Sequence, residues 1–165
     1  THDWRTSPLR IGSDMDWTQV SGGGFHTCGV QGSGSLRCWG LNNVGQLGDG
    51  TTVRRTTPTA IGSATDWSSV RAGYQHTCAL KGAGELWCWG DDSFGELGNG
   101  LPLVKQFAPV LVSGGFTDWA GASAGLGQLC ARRTGGQLFC WGYDVQGQLG
   151  DGGTNTDQPD PVQIS

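Results

Sequence analysis

The sequence predicts an all-β fold built from repeated four-stranded antiparallel units. Three observations predict it. One pattern is written three times, as Asp16-Trp17…His26-Thr27-Cys28…Cys38-Trp39-Gly40…Leu47-Gly48-Asp49-Gly50, then from Asp66 to Gly100, then from Asp118 to Gly152. The first two copies are offset by 50 residues and the last two by 52. That period marks a repeat architecture in which no unit buries its apolar face alone. Glycine is abundant, at 31 of 165 residues, without a collagen-like period, and therefore serves tight turns and close strand approaches. No window sustains a helical periodicity.

Each element follows from local pattern. In the second copy, His76 to Leu80 and Glu85 to Trp89 read as strands around the turn Lys81-Gly82-Ala83-Gly84, so they form a hairpin. Gln31-Gly32-Ser33-Gly34 and Thr134-Gly135-Gly136 stand at the same place in the other copies. A strand from Trp67 to Ala72 precedes the hairpin. A fourth, Pro58 to Ile61, follows a Gly-rich loop, with Pro at its start, where a missing N–H is tolerated. Four short strands per repeat describe a propeller blade. The expected divisions are 1–12 as the tail of a preceding repeat, then blades at 13–62, 63–114 and 115–165. Pro8-Leu9-Arg10-Ile11-Gly12 matches Pro58 to Gly62 and is expected to be an orphan outer strand. Three blades make an arc of a six- or seven-bladed ring, completed by further blades or by another polypeptide.

The repeat resembles that of the regulator of chromosome condensation family. The resemblance rests on Asp-Trp-x-x-Val, His-Thr-Cys-Ala-Leu, Leu-x-Cys-Trp-Gly and Leu-Gly-x-Gly, and covers nearly the whole chain. It implies a β-propeller, usually seven-bladed, that serves as a binding platform. Functions in that family range from guanine nucleotide exchange to UV-B sensing, ubiquitin ligation and inhibition of a secreted enzyme. The photoreceptor needs a Trp just before its His-Thr element. Gly24-Phe25, Tyr74-Gln75 and Leu126-Gly127 stand there instead, which argues against light sensing.

The six cysteines fall as Cys28/Cys38, Cys78/Cys88 and Cys130/Cys140, always ten apart across the hairpin turn. With the turn centred near Ser33, Ala83 and Gly135, each pair is directly cross-strand, where Cα atoms lie ~4.5 Å apart and a bridge is sterically possible. Three disulfides would place the protein in an extracellular or periplasmic compartment. The 14 acidic and 10 basic residues argue against nucleic acid. No apolar stretch approaches the ~20 residues of a membrane span.

His26, Cys28 and Cys38, repeated as His76, Cys78 and Cys88, offer soft ligands for zinc. Gln128 breaks the set in the third copy, and the Cys-x2-4-Cys spacing is missing. The histidines are expected to be buried residues that hold backbone. Asp151, Asn155 and Asp157 place oxygens on alternate residues, but the closing Glu of a calcium loop is missing. No nucleophile elbow, phosphate loop or nucleotide fingerprint is present. The expectation is a non-enzyme with no cofactor and no metal.

Two clusters vary inside the fixed repeat frame. One precedes the His-Thr-Cys strand: Phe25, Tyr74, Gln75 and Leu126. The other follows Cys-Trp-Gly: Asn42 and Asn43, then Asp91, Asp92 and Phe94, then Tyr143 and Asp144. Repetition should bring them to one rim, where aromatic and polar groups suit a protein partner. The expected function is secreted, non-enzymatic protein binding. A structural subunit of an extracellular assembly and a glycan-binding propeller are alternatives; nucleotide exchange ranks lower.

Overall fold

The structure, a computed structural model, describes residues 6–153 and 155–164. The described residues contain twelve strands and no helix. Blade 1 comprises β1 (Trp17–Gly22), β2 (His26–Gln31), β3 (Leu36–Gly40) and β4 (Arg55–Ala60). Blade 2 comprises β5 (Trp67–Ala72), β6 (His76–Lys81), β7 (Glu85–Gly90) and β8 (Gln106–Leu111). Blade 3 comprises β9 (Trp119–Ala124), β10 (Gln128–Arg133), β11 (Leu138–Gly142) and β12 (Gln158–Ile164). Each blade is one antiparallel sheet whose spatial order follows chain order.

The hairpin registers set the disulfides. Cys28 opposes Cys38, Cys78 opposes Cys88 and Cys130 opposes Cys140. All three pairs are bonded, with Cα atoms 4.1 Å apart, and no described cysteine is free. The fourth strand departs from expectation in one detail. Pro58 lies inside β4, not at its start. Cys38 opposes Thr59 whereas Gly40 opposes Arg55, so β4 carries a bulge around Pro58. An outer strand with a bulge can lack one N–H without losing a ladder bond.

The expected orphan strand is not formed. Residues 8–11 adopt no strand and join none of the three sheets. A fourth strand needs a hairpin to pair with, and none of the three described hairpins is available to it. The expectation for Thr1 to Arg5 lies outside the described residues.

Two apolar cores form between blades rather than within them. Val30, Leu36, Leu47 and Ile61 of blade 1 meet Trp67, Val70 and Trp89 of blade 2. Leu80, Leu86, Leu97 and Val112 of blade 2 meet Trp119, Leu129, Phe139 and Trp141 of blade 3. Trp67, Trp89, Trp119 and Trp141 are therefore inter-blade packing, whereas Trp17 and Trp39 are half-buried and pack on each other within blade 1 at 5.9 Å. Each junction is also latched. The Trp89 Nε1–H donates to the Gln46 carbonyl at 3.1 Å, and the Trp141 Nε1–H to the Glu96 carbonyl at 3.1 Å. A Cβ at Gly48 or Gly98 would collide with those indoles, so only glycine lets the ring close on the loop.

Candidate functional site

The loops between the first and second strands of each blade and those after the third strands meet on one rim. The Leu41 N–H donates to the Phe25 carbonyl at 2.8 Å, Asp91 N–H to Gln75 at 3.0 Å, and Tyr143 N–H to Gly127 at 2.8 Å. Successive blades are tied there as well: Gly24 N–H donates to the Gly73 carbonyl and Tyr74 N–H to the Gly125 carbonyl, each at 3.2 Å. The rim is thus a continuous, backbone-braced ledge.

Apolar side chains crown it. Phe25 is 64% exposed and Leu126 73%, with Tyr74 and Phe94 also exposed. Phe25 and Tyr74 pack edge to face at 6.0 Å across the blade 1–2 junction. Phe94 and Tyr143 pack at 4.9 Å across the blade 2–3 junction. Gly127 sits beneath that second pair. The structure therefore brings Phe25, Tyr74, Phe94, Leu126 and Tyr143 together. Asn43 is exposed and Gln75 half-buried beside them.

Four expected rim residues are not at the surface. Asn42, Asp92 and Asp144 are buried, and each side-chain oxygen accepts a backbone N–H five residues on: Leu47 at 2.9 Å, Leu97 at 3.1 Å and Leu149 at 2.8 Å. They fold the loop; they do not face a partner. The short Asn/Asp side chain wins there because the Leu-Gly turn leaves an otherwise orphaned buried donor. Asp91 is buried too, accepting from the Ser93 hydroxyl at 3.0 Å with Lys105 at 3.9 Å.

Beneath the rim lies a residue that pattern reading passes over. Glu96 occupies the position of Gln46 and Gln148. All three side chains accept a backbone N–H two residues back: Phe94 at 2.7 Å, Val44 at 3.0 Å and Gln146 at 2.9 Å. Burial pushes the Glu96 carboxyl up to about 7, with Asp91 and Asp92 adding repulsion. Burial also pushes Asp92 up to about 6. The signal available in the sequence was a lone acid at a position held by amides in both other copies.

The histidines are buried, as expected, but their bonding differs from the expectation. His26 Nε2 meets the Thr77 hydroxyl of the next blade at 2.8 Å, and that hydroxyl donates to the Gln46 carbonyl at 2.8 Å. The His76 ring has no hydrogen-bond partner among the described residues, because Leu129 replaces the threonine in blade 3. Burial holds both rings down to about 4, so both are neutral at ordinary pH. No group of three or more His, Cys, Asp or Glu among the described residues is arranged to hold a metal ion. Among the described residues no helix is long and apolar enough to cross a membrane.

Two family models described as the regulator of chromosome condensation (RCC1) repeat match, one over residues 33–80 and 83–131, the other over 17–46 and 67–96. The chain belongs to the RCC1 repeat family. Its blades resemble those of yeast RCC1 (Prp20), solved bound to Kap60, with a TM-score of 0.82 at 21% identity. That match covers 91% of this chain and 37% of the other. Human WBSCR16 is similar, with a TM-score of 0.83 at 24% identity, covering 93% of this chain and 39% of that one. At such identities the likeness shows the propeller fold alone. This chain spans under two-fifths of each of those structures' length. A search of curated proteins found no match.

Proposed function

We propose that these blades are a non-enzymatic binding module that engages a protein partner outside the cytosol through the aromatic rim. One observation carries the reading. Five exposed or half-exposed apolar side chains from all three blades sit on a ledge braced by backbone hydrogen bonds. Aromatic anchors held on rigid backbone suit a partner because little side-chain freedom is lost on docking. The fold supports the partner class: a structure of Saccharomyces cerevisiae Prp20p, with a TM-score of 0.82, concerns its binding to Gsp1p and histones. The three disulfides support an oxidising compartment.

A glycan is the second reading. The Phe94–Tyr143 pair at 4.9 Å sets two aromatic rings side by side on the rim, and the C–H groups of a sugar stack on an aromatic face. The test is capture from the native extracellular medium by the wild-type chain and by a Phe25→Ala/Tyr74→Ala/Phe94→Ala variant, scored by mass spectrometry. Loss of a protein in the variant supports the proposal. Undiminished capture by a folded variant refutes it, and retention on glycan arrays with no captured protein favours the sugar.

A further inference from the structure

The two internal blade junctions are built alike but not filled alike. At the blade 2–3 junction the linker Val112-Ser113-Gly114-Gly115-Phe116 is one residue longer than its counterpart Ile61-Gly62-Ser63-Ala64 at the blade 1–2 junction. Val112 and Ile61 correspond, since their N–H groups donate to the equivalent Leu86 and Leu36 carbonyls, each at 2.9 Å. Phe116 packs 5.4 Å from Trp119 and 5.2 Å from Phe139, with the Arg133 guanidinium 4.3 Å from its centroid. Trp67, Trp87 and Lys81 stand at the positions of those three neighbours, and Lys81 Nζ lies 5.8 Å and 5.3 Å from the two indoles. At the position of the phenyl ring itself stands Ala64.

A second difference lies beside the first. The Ser113 hydroxyl donates to Asp160 at 2.6 Å across the blade 2–3 junction, whereas Gly62 and Ala108 hold those positions one blade earlier. Two matched glycines register the change. A Cβ at Gly100 would lie 3.1 Å from the Asp160 carboxylate and 3.4 Å from Ser113, but at Gly50 it would meet nothing within 4 Å. The result is a groove of about 440 Å³, lined by Gly50, Ile61, Ala64, Trp67, Ala108 and Pro109 among others. That volume falls in the ~300–1,000 Å³ range of ligand sites. Asp49 also borders it, with its carboxylate already paired to Arg55 at 2.6 Å.

One polar group of the lining lacks a partner. Trp67 is 5% exposed, and its Nε1–H has no acceptor among the described residues. Trp89 and Trp141 donate theirs to carbonyls at 3.1 Å, and Trp87 donates to Glu85 at 3.1 Å. A buried N–H without an acceptor is costly, and an oxygen that meets it recovers the bond.

We propose that the blade 1–2 junction binds a small aromatic molecule carrying a hydrogen-bond acceptor. Its ring takes the place that Phe116 fills in the next junction, beside Trp67, Trp87 and Lys81. Its oxygen accepts the Trp67 Nε1–H. An aromatic ring suits this seat better than an aliphatic one, because indole edges and an ammonium group both favour a π face.

The test is titration of the 165-residue chain with acetophenone, a ring bearing a carbonyl, and with toluene, which lacks the acceptor. Proton–nitrogen correlation NMR reads the Trp67 indole N–H, assigned by Trp67→Phe. Acetophenone should shift that signal saturably, and toluene should bind about tenfold or more weakly. Ala64→Phe, which supplies the ring from the chain itself, should abolish the shift. Ala108→Trp should do the same from an exposed outer-strand position, which keeps the test decisive where Ala64→Phe perturbs folding. The remaining amide signals check each variant's fold. The proposal is overturned by the lack of a saturable shift, by toluene binding as tightly as acetophenone, or by a shift that survives both substitutions. Binding of N-acetylphenylalanine amide far tighter than that of acetophenone also overturns it, and makes the occupant a protein segment.

Discussion

Glu96 is the most consequential single residue that repetition hides. Its carboxyl does the work of a glutamine amide, accepting the Phe94 N–H beneath the exposed Phe94 ring. Raised from 4.5 to about 7, it stabilises the fold fully below about pH 4.5 and loses that contribution as pH rises through about 7. His26 and His76, lowered from 6.5 to about 4, work in the opposite sense. Their contribution is present above about pH 6.5 and is lost as pH falls through about 4. The two effects offset each other across the same window. Glu96→Gln should therefore equal the wild type near pH 4.5 and exceed it at pH 8 by up to about 3 kcal/mol. Its stability should climb between pH 5 and 7. Urea unfolding at several pH values checks this, and parallel profiles for the two proteins would contradict the buried-acid reading.

At the scale of the element, the blade is a hairpin stapled by a disulfide and latched to its neighbour by a tryptophan. Gly48 and Gly50 separate the latch from ordinary backbone cost. Both sit in the left-handed region, at φ 79° and 78°, but only a Cβ at Gly48 would strike the Trp89 indole; at Gly50 there is open space. Gly50→Ala should cost about 1 kcal/mol. Gly48→Ala should cost roughly 1–3 kcal/mol more, as overpacking does. Equal costs in thermal unfolding would deny the latch. Each disulfide closes a ten-residue separation and should contribute about 3 kcal/mol in the chain-entropy model. Replacing Cys78 and Cys88 together by alanine should thus lower the denaturation midpoint, and an unchanged midpoint would contradict that role.

Strands and staples were readable because they repeat: the Cys-Cys spacing fixes the hairpin register, and the register fixes which residues face one another. The rim was half readable. Phe25, Tyr74 and Leu126 vary at exposed positions, outside the blade cores. Asn42, Asp92 and Asp144 look like the same variability, yet an Asn-to-Asp exchange at a buried acceptor preserves the bond to the leucine N–H. Sequence patterning does not separate exposure from exchange between equivalent acceptors. The strand expected at Pro8 to Ile11 failed for a different reason. A strand's identity depends on a pairing partner as much as on its own residues.

For the whole molecule, the same design acts at two places. Inter-blade faces hold the arc together, and the rim loops, tied by the same junctions, are free to meet something else. First strands reinforce this: Gln19 and Ser21 side chains accept the Val70 and Ala72 N–H groups at 2.6 and 2.9 Å, and Arg71 donates to the Ala122 carbonyl at 2.9 Å. The rim should accordingly move as one body, and a partner should sense all three blades at once. Hydrogen exchange on the chain with its captured partner, read by mass spectrometry, tests this most directly. New protection is expected only in the loops at 23–25, 73–75, 125–127, 91–94 and 143–145. Protection on the outer strands β4, β8 and β12, with those loops exchanging as in the free chain, would contradict it.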